Sequence, residues 1–330
     1  MEHVYEDELD SVPEPDHVAQ VMDGFIDTVS GSESFTKAQH YLEAVLFSNG
    51  IIRHRDVGGT EGILGKVADG AKAAIEYIKK IFRSIWDFFF KREKKSMEDK
   101  VDKAIEEAKK DLDAIDKSKV TPENVDSAIK KAATEVDKLK DGPEKTKLKE
   151  KVKEAQESKD TSFKIKIATV IPGEVFQAWR IPGIITATYE EQFAGALKKV
   201  EELLKKQKDG GDPHQIAGDM QKIVTAAQAM PKNGEKVNDI AGAEAYLNAA
   251  KKCSDDMCAG LENISRKEAE FKRVIEDLEK SMDKDKAKSS TVGMKESLTG
   301  ITGVIHEVKV MCRFLESAAK NISKGCILII

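Results

Sequence analysis

Two cysteines in the C-terminal half have the residue type and proximity that most readily suggest chemistry. Cys253 and Cys258 are five positions apart, and two thiols could form a redox pair or half of a zinc site. On a helix, five residues correspond to about 140° of rotation, so the thiols would point in different directions. With Cys312 and Cys326 they lie in or beside helical patterns. The spacing therefore favours small core residues in a reducing compartment.

Other chemistry-bearing patterns give equally weak signals. No pair among the six histidines has metal-ligand spacing. Asp255-Asp256 could act as an acid–base or metal pair, but adjacent acids on a helix are usually solvated. Gly58–Gly62 lacks the Lys-Ser/Thr ending of a phosphate-binding loop. We therefore predict no catalytic, cofactor-binding or metal site and no enzyme, while a composite site between helices stays open.

The composition indicates a chain built from long helices. Of the 330 residues, 34% are charged with a net charge of −5, and 6% are aromatic. Only 8 are Pro, and none follows Pro231, in a region rich in Ala, Lys, Glu and Leu. We predict an all-α fold of elongated helical hairpins in a coiled-coil-like bundle. The balanced charge argues against direct nucleic-acid binding, for which a basic excess is typical.

Residues 1–50 are predicted to form an acidic helical hairpin. They contain 11 acidic residues and one basic residue, and apolar positions keep helical spacing on both sides of Gly31. A Gly-rich joint follows over 51–65. The acidic first residues are unlike a secretory signal, and no apolar run reaches transmembrane length. We expect neither secretion nor a membrane-spanning helix.

Residues 62–95 form the most distinctive predicted helix, which is amphipathic, cationic and rich in Trp and Phe at its end. It fits an interfacial membrane helix, but packing within its own protein or against a partner is the favoured interpretation. The hairpin has a net charge of −10 and residues 66–95 one of +5, so we predict that the hairpin covers this helix. The candidate residues for membrane or partner contact are Ile78, Phe82, Ile85, Trp86, Phe89 and Phe90.

Helical patterns continue through the rest of the chain, with one exception. Residues 96–160 predict a helical hairpin region, and 188–330 a bundle of long helices, one of them over about 236–284. Between them, 161–187 contains Ile-Pro-Gly twice, and Phe163–Ile167 alternates with strand period. We expect an extended segment there, with at most one short β-strand near 162–171 that pairs with another chain or lies as an ordered loop.

Residues 18–95 resemble the beginning of the internal head (inner virion) proteins of large tailed bacteriophages. The resemblance rests on Val21–Phe25, His40–Val45 and Lys80–Phe90. It implies a non-enzymatic structural protein, made in the host cytoplasm and packaged inside the capsid as scaffold or as cargo ejected with DNA. Its partners would be copies of itself or other virion proteins. It also implies that the N-terminal segment is a propeptide removed by a prohead protease. The candidate cleavage sites are Glu33, Glu43 and Glu61.

Two other functions stay open at this point. A membrane-active helical protein, such as a toxin or effector, would insert residues 62–93 at a membrane surface. A coiled-coil scaffold would use the helical seams alone.

Overall fold

The computed structural model describes residues 12–31, 35–52, 67–90, 93–116, 120–179, 217–228, 239–280 and 284–327, with isolated positions between 198 and 205. Within these ranges the secondary structure is helical and no β-strand occurs, which confirms the all-α class. The helices are α1 (Pro15–Ser30), α2 (Lys37–Ser48), α3 (Val67–Phe90), α4 (Glu93–Asp116), α5 (Val125–Lys138), α6 (Pro143–Glu157), α7 (Thr161–Trp179), α8 (Ala217–Gln228), α9 (Ile240–Ser265), α10 (Glu268–Lys280) and α11 (Lys284–Ile327).

The chain divides into two compact units. Unit 1 comprises residues 1–96, 196–226 and 256–309, and unit 2 comprises residues 97–195, 227–255 and 310–330. Side chains predicted as helical seams are buried in both units, because apolar residues three and four apart share one face of a helix. Examples are Val101, Ile105, Ala108 and Leu112 in α4 and Leu298, Ile301, Ile305 and Val308 in α11.

The first two helices of unit 1 form the predicted hairpin. α1 has Pro15 in its first turn and ends at Gly31, whose φ of 70° lies in the left-handed region. α2 begins with a capping box, in which the Thr36 hydroxyl accepts from the Gln39 N–H and the Gln39 side chain accepts from the Thr36 N–H. The Thr36 hydroxyl also donates to Asp27 Oδ2 at 2.6 Å, which ties the start of α2 to α1.

The close approach of α1 and α2 depends on Gly24. A Cβ atom at this position would lie 2.4 Å from the Ala38 carbonyl oxygen and 2.7 Å from the Leu42 Cβ. Both separations are far shorter than van der Waals contact, so glycine is required at this crossing. α3 packs on both helices of the hairpin and on α10.

In unit 2, helices α5, α6 and α7 pack against one another. α6 has Pro143 in its first turn, where the missing N–H costs no helical hydrogen bond. Ion pairs join α7 to α5 through Lys164 and Asp126 at 2.7 Å, and α6 to α7 through Lys151 and Glu174 at 2.5 Å.

The predicted extended segment is wrong where the structure describes it. Residues 161–179 form helix α7, and residues 180–187 lie outside the described residues. A lone strand would leave its backbone N–H and C=O groups unpaired, whereas a helix satisfies them within the segment. α7 buries Ala168, Ile171 and Val175 at helical spacing. Asp160 caps its start by accepting from the Ser162 N–H at 2.9 Å.

The single helix expected over about 236–284 is also divided in the structure. α9 ends at Ser265 and α10 begins at Glu268, with a turn in which the Lys267 N–H donates to the Ile264 carbonyl at 3.0 Å. Gly260, where the sequence suggested a bend, lies inside α9. A Cβ there would come within 2.4 Å of Ile223 on α8, so this glycine permits close helix packing.

Candidate interaction site at the aromatic end of α3

The six candidate interaction residues lie on α3, and the structure buries most of them. The buried side chains are those of Ile78, Phe82, Ile85 and Trp86. Trp86 is only 2% exposed, whereas Phe89 is half-buried and Phe90 is 61% exposed. Contact of the four buried side chains with a membrane or a partner would therefore require α3 to be uncovered first.

The aromatic cluster, defined as Phe82, Trp86, Phe88, Phe89 and Phe271, is centred on the Trp86 indole. Phe82 stacks on the indole with ring centroids 4.3 Å apart, and Phe271 of α10 approaches it at 5.2 Å with a tilt of 50°. Phe89 is edge-on to Trp86 at 6.2 Å and to Phe88 at 5.3 Å. Each such pair contributes about 0.5–1.5 kcal/mol beyond its buried area.

The indole N–H of Trp86 has a specific partner at the end of α9. Its Nε1 donates to the Ser265 carbonyl oxygen at 3.2 Å in a buried hydrogen bond. The last carbonyl groups of a helix have no partner within the helix, so an outside donor is needed when they are buried. Trp86 supplies that donor, and α3 thereby caps the C-terminal end of α9.

A buried lysine lies beside the aromatic cluster. Lys309 of α11 is 6% exposed, and its Nζ lies 4.9 Å from the centroid of the Phe88 ring and 3.7 Å from Glu93 Oε2. An ammonium group in this setting is costly unless it is compensated. The ring face and the carboxylate provide that compensation, which ties α11 to the aromatic end of α3.

Two basic residues around α3 have acidic partners on α9 and α10. Lys94 pairs with Glu262 at 2.7 Å, and Lys79 pairs with Glu279. The hydrogen bond from Lys94 is the largest contribution that lowers the pKa of Glu262. Part of the basic surface expected from the sequence is therefore neutralised within unit 1.

Sequence reasoning did not find Ser265, Phe271 or Lys309 as members of this site. Phe271 carried a partial signal, because it belongs to an apolar helical seam. Ser265 acts through its backbone carbonyl, which no residue type reveals. Lys309 interrupts the apolar positions of α11, and a lysine at such a position is the signal that could have indicated a buried ion pair.

One histidine of the hairpin makes side-chain hydrogen bonds that reach α3. His17 Nδ1 lies 2.8 Å from the Tyr41 hydroxyl and Nε2 lies 2.9 Å from the Tyr77 hydroxyl, so one imidazole links α1, α2 and α3. Burial lowers the pKa of His17 and is the largest contribution that raises the pKa of Tyr77. The hairpin packs on α3, as expected, but Phe271 of α10 contacts the Trp86 ring, so shielding of the aromatic end by the hairpin stays a prediction.

The structure also places the cysteines, Asp255 and one candidate cleavage site that the sequence analysis named. All four cysteines are buried, and burial raises the pKa of Cys326 to about 12, which keeps its thiol protonated. Asp255 pairs with Lys251 at 2.7 Å, and Lys251 also pairs with Asp102 at 2.7 Å. Among the candidate cleavage sites, Glu43 lies half-buried in α2, whereas Glu33 and Glu61 lie outside the described residues.

The described residues hold neither a metal site nor a membrane-spanning helix, and the chain matches no known protein. The described part of the chain contains no group of three or more His, Cys, Asp or Glu side chains placed to hold a metal ion. Among the helices described, none combines the length and apolarity needed to cross a membrane. No protein-family model matches the chain, and neither does any curated protein or solved structure.

Proposed function

We propose that this chain is a non-enzymatic structural protein of the internal head type, packaged inside the capsid of a tailed bacteriophage. The proposal starts from the resemblance of residues 18–95 to such proteins. The observation that carries it is the packing of the segments that bear this resemblance. α1, α2 and α3 contact one another, and His17 hydrogen-bonds to tyrosines on the other two helices.

Under this proposal the hairpin is the propeptide, and the candidate cleavage sites have different consequences. A cut after Glu43 would require α2 to unwind, because proteases bind extended chain and Glu43 lies within this helix. A cut after Glu61 would fall between α2 and α3 in the chain and keep both hairpin helices whole. We therefore favour Glu61 over Glu43.

Mass spectrometry of purified phage particles tests the proposal. The expected result is that peptides from unit 1 and unit 2 occur in the particles and that the mature protein begins after Glu61. Absence of the chain from particles that contain their other head proteins would contradict the packaging proposal. Presence with an intact N-terminus would contradict only the propeptide.

A membrane-active function is the second candidate, and the apolar face of α3 is the observation that favours it. This face is covered by the protein itself, while Phe90 at the end of α3 is largely open to solvent. Cosedimentation with anionic liposomes tests this function. Binding of the intact protein, reduced by Phe90→Ser and unaffected by Phe47→Ser at another exposed phenylalanine, is the expected result. Absence of cosedimentation, both at neutral pH and after mild acid treatment, would contradict the membrane-active function.

A further inference from the structure

Unit 2 contains a cavity of about 300 Å³ between α5, α7 and the C-terminal end of α4. Small side chains make room for it, since Ala114, Ala128, Ala132 and Ala168 all belong to its lining. Larger apolar side chains, including Ile115, Ile171 and Val175, form part of the wall. The volume is at the lower end of the range for small-molecule sites, which is about 300–1,000 Å³.

Glu135 and Ala168 both belong to the cavity lining, and each carries a hydrogen-bond acceptor. Glu135 of α5 is 7% exposed, and its two carboxylate oxygens both accept from Lys138 Nζ, at 3.0 and 3.2 Å. A carboxylate has about four acceptor positions, so one ammonium does not use them all. A buried carboxylate gains from every further donor, because burial penalises an incompletely paired charge.

The second acceptor is created by a proline inside α7. Pro172 lies within the helix and has no N–H, so the carbonyl oxygen of Ala168, four residues earlier, loses its normal helical donor. Ala168 and Pro172 both belong to the cavity lining. A buried carbonyl without its helical partner calls for a donor from elsewhere. Lys131 also contributes to the lining. Because this residue is exposed, its charged group lies towards water.

We propose that this cavity binds a small primary ammonium compound with an apolar body. A primary ammonium carries three N–H donors and one positive charge, which match the Glu135 carboxylate and the Ala168 carbonyl. The apolar part of the ligand lies against Ile171 and Val175. The limited volume selects short aliphatic or single-ring amines over larger molecules.

Ligand-detected NMR titration of the full-length protein tests the proposal with three probes of equal chain length. Hexylammonium, 1-hexanol and hexanoate share a six-carbon body and differ in charge and in hydrogen-bond donors. We expect saturable binding of hexylammonium with a Kd on the order of 1 mM, and binding at least tenfold weaker for the other two. Equal binding of hexylammonium and 1-hexanol, or no binding of any probe, would overturn the proposal.

Variants locate the binding in the cavity. Ala132→Leu fills the space and should abolish binding, whereas Ala133→Leu at the neighbouring position outside the lining should not. Glu135→Gln should weaken hexylammonium binding about tenfold, because a charge-assisted hydrogen bond is lost. Glu154→Gln, at an exposed position of α6, is the matched control.

Lys138→Gln separates recognition by the carboxylate from a structural role of the Glu135–Lys138 pair. If Glu135 binds the ligand, removing its lysine partner leaves the carboxylate available and tightens hexylammonium binding. Loss of binding in both Glu135→Gln and Lys138→Gln, in proteins whose helical circular dichroism is unchanged, would show that only the ion pair matters and would overturn the assignment.

Discussion

Substitutions of Trp86 and His17 test the contacts by which other helices pack on α3. Each makes contacts that join helices far apart in the sequence. Trp86 donates to the end of α9, and His17 connects both helices of the hairpin to α3. Their contributions differ in kind, because the indole hydrogen bond is independent of pH whereas the imidazole can be protonated.

We expect Trp86→Phe to lower the free energy of unfolding by about 1–3 kcal/mol. The substitution keeps an aromatic ring but leaves the Ser265 carbonyl without its donor, in a buried position. Urea denaturation measures the change. Phe90→Leu at the exposed end of the same helix is the control and should shift the free energy by less than about 0.5 kcal/mol. Equal effects of the two substitutions would contradict the capping role of Trp86.

We expect the stability of unit 1 to fall as the pH drops below about 6.5. Burial lowers the pKa of His17 in the folded protein below the ordinary histidine value of about 6.5, so the unfolded chain takes up a proton more readily. The stabilising contribution of neutral His17 is therefore fully present above pH 6.5 and is lost as the pH falls towards the lowered folded-state pKa. Thermal denaturation from pH 7.5 to 5 measures this slope.

The matched substitutions for this pH dependence are His17→Gln and His40→Gln. The first should reduce the slope of melting temperature against pH, since the titrating group is gone. The second replaces an exposed histidine of α2 and is the control. An unaltered slope in His17→Gln would assign the acid sensitivity to other groups.

At the scale of the helices, glycines with different surroundings determine how closely elements approach. Gly24 lies at the α1–α2 crossing, where a Cβ would overlap the backbone of α2. Gly303 of α11 lies in a helix as well, but the nearest atom to its added Cβ would be Pro15 Cγ at 3.8 Å, which is ordinary contact. The two positions form a matched pair for testing the packing of unit 1.

We expect Gly24→Ala to destabilise the protein by about 1–3 kcal/mol, because the hairpin must separate to admit the methyl group. Gly303→Ala should stabilise it by about 0.5–1 kcal/mol, since alanine loses less conformational entropy in a helix. Chemical denaturation measures the change in the free energy of unfolding for both variants, and we expect opposite signs. A neutral Gly24→Ala would contradict the close α1–α2 crossing.

At the scale of the whole chain, the hairpin packs on α3, and a truncation that removes the hairpin tests what this packing does. Removing residues 1–61 takes away α1 and α2 and uncovers the face of α3 on which they pack. We expect a several-fold increase in cosedimentation with anionic liposomes, because an amphipathic cationic helix binds such surfaces once its apolar face is free. Loss of solubility without lipid would have the same origin.

Trp86 fluorescence shows whether the truncation also disturbs the contacts of the indole with other helices. With Trp179→Phe in place, we expect only a small red shift on truncation, because Phe271 and Ser265 still contact the indole. A shorter truncation of residues 1–11, which keeps both hairpin helices, is the control for liposome binding. No change in lipid binding or solubility on removing 1–61 would show that the hairpin does not shield α3.

Sequence periodicity was sufficient for the all-α class, the N-terminal hairpin and the buried seams, because a repeat of three and four residues is local and defines one helix face. It failed for residues 161–171, where a short alternation fits strand and helix alike, and the pairing requirements of the backbone favoured α7. Partners such as Ser265 for Trp86 lie 179 positions away in the chain. Contacts across such separations depend on how whole helices pack, so no local pattern could reveal the capped end of α9 or the cavity beside Glu135.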